Sequence, residues 1–106
     1  MSIKDMKMND GATLDIEIAV WPLKLRYSVN SLCEVEDRAG MPIDRLMNRQ
    51  FSATRLLLWA GLTQCQPELS VRDAGDLITA AMQQGDSLER IVELCADGLR
   101  AAGLLQ

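Results

Sequence analysis

Cys33, Cys65 and Cys95 are the residues in this chain best suited to nucleophilic chemistry, and what surrounds them argues against it. A thiol attacks as its thiolate, which needs a base or cation beside it. The chain has no histidine to serve as that base. No Cys-x-x-Cys pair is present, and the odd count argues against a disulfide framework and for a reducing compartment. Cys33 and Cys95 fall on apolar helical stripes, so they are expected as small buried core residues. Glu34, Glu36 and Asp37 are a carboxylate cluster of the kind that serves acid/base work or metal binding. On a helix, successive residues turn by about 100°. Glu36 and Asp37 therefore diverge, and the cluster reads as a solvated face. The missing imidazole also removes His-ligated zinc, Ser-His-Asp and Cys-His systems, and a histidine pH switch. No glycines stand at a phosphate-cradling spacing with a lysine. The expectation is a non-enzyme with no catalytic residue, cofactor, metal or small-molecule substrate.

Binding chemistry is better represented. A net charge of −4 opposes the phosphate attraction that underlies nucleic-acid affinity. The stretch from Glu68 to Ile78 evokes the first helix of a helix-turn-helix, which makes a small DNA-binding regulator the alternative reading. The following segment then presents Asp86, Glu89 and Glu93 where bases and phosphates ask for Arg, Lys, Asn or Gln. Positive charge gathers in Arg38, Arg45, Arg49 and Arg55 against Asp44 alone, and these arginines are expected to pair with neighbouring acidic faces. Trp59 reads as core, its indole N–H needing a buried acceptor. Trp21 has two readings: it folds back over a hairpin edge, or it anchors a partner. Leu94, Leu104 and Leu105 offer a similar choice between packing on the hairpin and exposure for self-association or another chain. Trp21, Leu94, Leu104 and Leu105 are the candidate partner-binding residues. Gly98 lies between two stripes, where another backbone can come close.

The elements that position these residues follow from composition and period. The 106 residues suit one domain, 48% are apolar and only 4% aromatic, and sixteen Leu with eleven Ala favour helices. The amino terminus has no signal-type apolar core, and no run nears the roughly eighteen apolar residues of a membrane span. A cytoplasmic protein is expected, with a flexible segment over 1–12 and a single domain over 13–106. Residues 13–29 alternate as a β-hairpin. Leu14, Ile16, Ile18 and Val20, then Leu23, Leu25, Tyr27 and Val29, form the apolar face, and Asp15 and Glu17 oppose Lys24 and Arg26 on the other. Trp21-Pro22 lacks tight-turn chemistry, which leaves a wider loop, a bulge or one long bent strand.

Residues 30–106 read as a bundle of about five short helices, giving a mainly α (α+β) fold. Ser28 or Asn30 caps the first helix and Gly40 stops it. Pro42 opens a short second helix running to about Arg49. Ser52 caps a third over about 53–64, apolar on every side and so expected at the centre. Ser70 with Asp73 forms an acidic capping box for the fourth, which Gly85 ends. Asp86 or Ser87 starts the fifth, whose apolar face is wider than one packing partner needs.

The segment Leu25-Arg26-Tyr27-Ser28-Val29-Asn30-Ser31-Leu32-Cys33-Glu34-Val35-Glu36 resembles the strand-into-helix segment of the tail assembly chaperones of long-tailed phages, prophages and gene transfer agents. Leu57-Leu58-Trp59-Ala60-Gly61-Leu62, followed by Pro67-Glu68-Leu69-Ser70 and an amphipathic helix, extends the resemblance over about residues 23–82. It departs at Val20-Trp21-Pro22, where many relatives have a Gly-Lys type turn. The resemblance implies a non-catalytic protein in the host cytoplasm during phage assembly. Such a protein binds the tape measure protein, keeps its long hydrophobic helices soluble, helps recruit tail tube protein subunits, and is absent from the finished virion.

Overall fold

The computed structural model describes residues 13–106, so the flexible segment expected over 1–12 lies outside the described residues. The chain runs through β1 (Leu14–Ile18), β2 (Trp21–Leu25), α1 (Val29–Ala39), α2 (Ile43–Leu46), α3 (Gln50–Leu62), α4 (Val71–Gln83) and α5 (Leu88–Ala101). The fold is α+β and mainly helical, an antiparallel two-stranded sheet followed by five helices. Helix α3 is the axis. Every residue from Leu56 to Leu62 is buried, because α1, α2, α4, α5 and β2 all pack around it. An all-apolar helix has no face to give to water, and enclosure is its stable solution.

Register explains the hairpin. Leu14 pairs with Leu25, Asp15 with Lys24 and Ile18 with Trp21, and Asp15 and Lys24 form an ion pair of 3.4 Å on the exposed face. A slip by one residue would turn Ile16, Ile18 and Leu25, all buried, toward water. That register leaves two residues for the reversal, so the turn is Ala19-Val20 and neither the wider loop, the bulge nor the bent strand expected at Trp21-Pro22 forms. Both turn residues take left-handed φ, 51° and 65°. A Cβ in that conformation costs roughly 1–2 kcal/mol, a cost imposed by the buried faces on either side.

Strand β2 stops at Leu25, two pairs short of the alternation through Val29, because Ser28 turns the chain into α1. Its side chain accepts from Ser31 N–H, and Ser31 returns a bond to Ser28 N–H. Val29 is consequently an exposed first-turn residue. The buried line of α1 is Ser31 and Val35, and Cys33 is exposed, contrary to its expected core position. Two helical steps of about 100° carry it off that line. Cys95 is buried, as expected. Helix α3 starts at Gln50 with no side-chain cap, and Ser52 lies inside its first turn. Asn48 and Arg49 N–H bond back to Arg45 and Leu46 carbonyls, so the backbone never opens into the extended residue a Ser cap requires. Ser70 and Ser87 cap α4 and α5, and the Ser70–Asp73 box is reciprocal at 3.0 and 2.8 Å.

Tyr27, in the link between β2 and α1, locks sheet to helices. Its ring is 3% exposed and its hydroxyl donates to the Leu57 carbonyl at 2.6 Å. Gly61 of α3 and Gly98 of α5 leave the space it fills, since a Cβ at either would come within 2.5 and 2.9 Å of the ring. The close approach expected at Gly98 is thus made by an aromatic side chain instead of a backbone. Burial raises the Tyr27 hydroxyl well above its ordinary pKa, and the same burial pushes the adjacent Cys95 thiol up to about 11. That thiol is a packing group, neutral at any physiological pH.

Candidate functional site

The sheet's core-facing side runs outward past the helices. Along β2 the residues of one face are Leu25, fully buried, Leu23, half-buried, and Trp21, 61% exposed. Trp21 overhangs a groove of about 470 Å³ between β2 and α4, with Leu23, Leu69, Leu77 and Ala80 as its apolar lining and Glu68, Asp73 and Asp76 as its acidic side chains. Beside it Val20 stands 74% exposed at the hairpin tip. The strand behind this tip is tied to the helices. The Gln66 side-chain amide accepts from Lys24 N–H at 2.8 Å and donates to Lys24 C=O at 3.0 Å, and Arg26 N–H donates to Gly61 C=O at 2.9 Å.

These bonds also decide how the edge of β2 can be used. Lys24 has its outward backbone donor and acceptor taken by Gln66, and Pro22, two residues back on the same edge, has no N–H. Addition of a further strand there is blocked. What the groove presents is side chains, an apolar floor to bury against and carboxylates to pair with. Asp73 is partly committed: the Ser70 backbone N–H and hydroxyl hold its carboxyl below the usual value. Glu68 and Asp76 form no ion pair among the described residues.

The other candidates fall elsewhere. Leu94 is half-buried and packs against the core, so it leaves the exposed set. Leu104 and Leu105 are 37% and 44% exposed, and neither lines the Trp21 groove. Leu104 serves the end of α5: its N–H reaches Leu99 C=O at 2.9 Å while Gly103, at φ 76°, bonds to Arg100 C=O. This is a Schellman stop, in which an apolar residue after the glycine folds back on the helix. Trp59 is core as expected, its indole N–H donating to Leu69 C=O at 3.2 Å, with the Arg38 guanidinium 4.2 Å over its ring.

The sequence reasoning missed two features. Glu36 leaves its acidic cluster to accept from Ile43 N–H at 2.9 Å, tying α1 to the start of α2. The basic segment does not pair with acidic faces: among the described residues Arg38, Arg45, Arg49 and Arg55 form no ion pair. Near Arg55, exposed Phe51 and Met82 border a second cleft of about 210 Å³, lined further by Gly75, Ile78 and Thr79. The run of unbalanced arginines was the only available signal for this surface.

Among the described residues no three His, Cys, Asp or Glu side chains gather to hold a metal ion, and no buried side-chain nitrogen or oxygen lacks a hydrogen-bond partner. No helix among them is long and apolar enough to cross a membrane. No protein-family model, curated protein or solved structure matches the chain.

Proposed function

We propose that this chain is a non-catalytic tail assembly chaperone of the long-tailed phage type, which binds the tape measure protein and helps recruit tail tube subunits in the host cytoplasm. The observation that carries the reading is Trp21 held 61% exposed over an apolar groove with acidic sides. A large ring left in water on a hairpin anchored to the helices is unfavourable for an isolated monomer and suited to a partner. The groove fits an amphipathic helix laid in by its apolar stripe, with Lys or Arg flanking the stripe to meet Glu68 and Asp76. Long helices of a tape measure protein, insoluble alone, offer such stripes repeatedly.

The test is co-expression with a tape measure protein of a long-tailed phage, taken from the genome that encodes this chain, scoring soluble tape measure protein and its co-purification. Wild type is expected to raise the soluble yield, and Trp21→Ala combined with Leu77→Asp to abolish the gain while keeping a wild-type circular dichroism spectrum. Equal rescue by the folded variant, or no rescue by wild type, overturns the reading.

A further inference from the structure

The groove under Trp21 has an apolar floor and acidic sides, and the chain itself holds a segment of matching chemistry. Twelve residues stand ahead of Thr13, and among them Ile3, Met6 and Met8 are interleaved with Lys4 and Lys7 against Asp5 alone. That stretch is apolar and basic in a chain of net charge −4. Unbranched methionines adapt to irregular apolar surfaces, and the groove offers them Trp21, Leu23, Leu69, Leu77 and Ala80. Glu68 and Asp76 form no ion pair among the described residues, so two carboxylates are open to two lysines. Between the apolar and basic stretch and β1 lies Asn9-Asp10-Gly11, residue types that favour a chain reversal.

We infer that residues 3–8 occupy the Trp21 groove of their own chain when no partner does, with Ile3, Met6 and Met8 against Trp21 and Leu77, and Lys4 and Lys7 set toward Glu68 and Asp76. The reach is sufficient. Leu14 at the start of β1 pairs with Leu25, and the Trp21 end of the sheet lies four register positions further on, about 13 Å along the strands. A reversal at Asp10-Gly11 turns the segment back along the hairpin, and the five steps from Met8 to Ile3 cover up to about 17 Å. Joining β2 as a third strand is blocked by Gln66 and Pro22, so side chains make the contact. The short tether holds the segment near the groove at an effective concentration on the order of mM. A contact too weak to form between separate molecules therefore still closes. Docking needs only the segment and the groove, and its role as a cover over the tail-protein site rests on the proposed function.

Nuclear magnetic resonance of the purified chain, with no tail protein present, tests the docking. Removing residues 2–11 is expected to move the Trp21 indole N–H and Leu77 methyl signals while leaving the buried Trp59 indole in place. A synthetic peptide of residues 1–12, added to the truncated chain at about mM concentration, is expected to move them back. Lys4→Glu with Lys7→Glu in the full chain is expected to reproduce the truncation. Asp76→Lys, at an exposed position on α4, is expected to do the same from the groove side, with circular dichroism checking its fold. Trp21 and Leu77 signals that are identical with and without residues 2–11 overturn the inference and leave the groove to another protein. Signals that move with protein concentration mark an occupant from a second molecule and overturn it as well. For capture of the tape measure protein, the apparent Kd of the truncated chain is expected to fall about tenfold, as when a cover closed about nine-tenths of the time is removed. An unchanged or higher Kd overturns the role as a cover. A tape measure protein that neither chain captures overturns the proposed function instead and leaves the docking signals standing.

Discussion

Replacing Gly61 with alanine is expected to destabilise the fold, although alanine is the better helix former by about 1 kcal/mol. The new Cβ would lie 2.5 Å from Tyr27 Cζ, 2.7 Å from its hydroxyl oxygen and 2.8 Å from Leu25 Cδ2, where 3.4–4 Å is ordinary contact. Tyr27 has nowhere to retreat: Gly98 presses the ring from α5, and its hydroxyl is tied to Leu57 C=O. Overpacking of this kind costs about 1–3 kcal/mol, and a displaced ring forfeits a buried hydrogen bond of about 1 kcal/mol. Against the propensity gain, a net loss of about 1–3 kcal/mol follows. For a domain of this size that is a fall of roughly 5–20 °C in Tm. Urea titration followed by circular dichroism measures it. Gly75→Ala is the control, because its Cβ meets only the flexible Arg55 stem, at 3.1 Å, and the change is expected within about 1 kcal/mol of neutral. Gly61→Ala with a wild-type midpoint would refute the claim that Tyr27 is clamped between the two helices.

Val20→Asn relieves a β-branched residue at φ 65° with a type that accepts left-handed backbone, and is expected to add about 1 kcal/mol of stability in thermal and urea unfolding. The same change trims the apolar hairpin tip, so tape measure capture is expected to weaken as stability rises, and a parallel rise in both would separate tip from function. Asp73 has its folded-state carboxyl held below its ordinary 3.8 by Ser70. A depressed carboxylate stabilises above its ordinary pKa and loses that contribution as pH falls through the folded one. The unfolding midpoints of wild type and Asp73→Ala are therefore expected to differ most near neutrality and converge below the ordinary carboxylate range. A gap that widens on acidification would contradict the capping role.

What could be read from the sequence was whatever a single residue or a single period decides. Ser28 and Ser70 announce caps because a hydroxyl before an apolar run has few other uses, and α3 announces its central place because an all-apolar helix has no alternative. The placement of Cys33, Tyr27 and the arginines needed more than that. Cys33 shares a stripe with Val29, and only the packing of α1 through Ser31 and Val35 shows that this stripe faces water. Tyr27 reads as one more alternating strand residue, and its role depends on two glycines from helices far along the chain. Unpaired arginines cannot be told from paired ones until it is known which faces adjoin, and no local rule contains that.

The candidate site itself was half legible, and the illegible half explains the other. Trp21 stood out because a large ring beside a proline fitted no turn rule. The structure shows why: the reversal had already been made at Ala19-Val20, in a conformation that neither residue favours. Left-handed backbone and an exposed apolar tip are two departures from what a stable monomer would choose, and they occupy adjacent positions, Val20 being 74% and Trp21 61% exposed. Two local rules broken side by side are what the proposed partner surface would require at this tip. An Asn-Gly tip would fold more readily. It would also present no Val20 and leave Trp21 alone above the groove, and under the proposed function it is the apolar pair, raised on a strand whose edge is closed by Gln66 and Pro22, that would offer this hairpin to another chain.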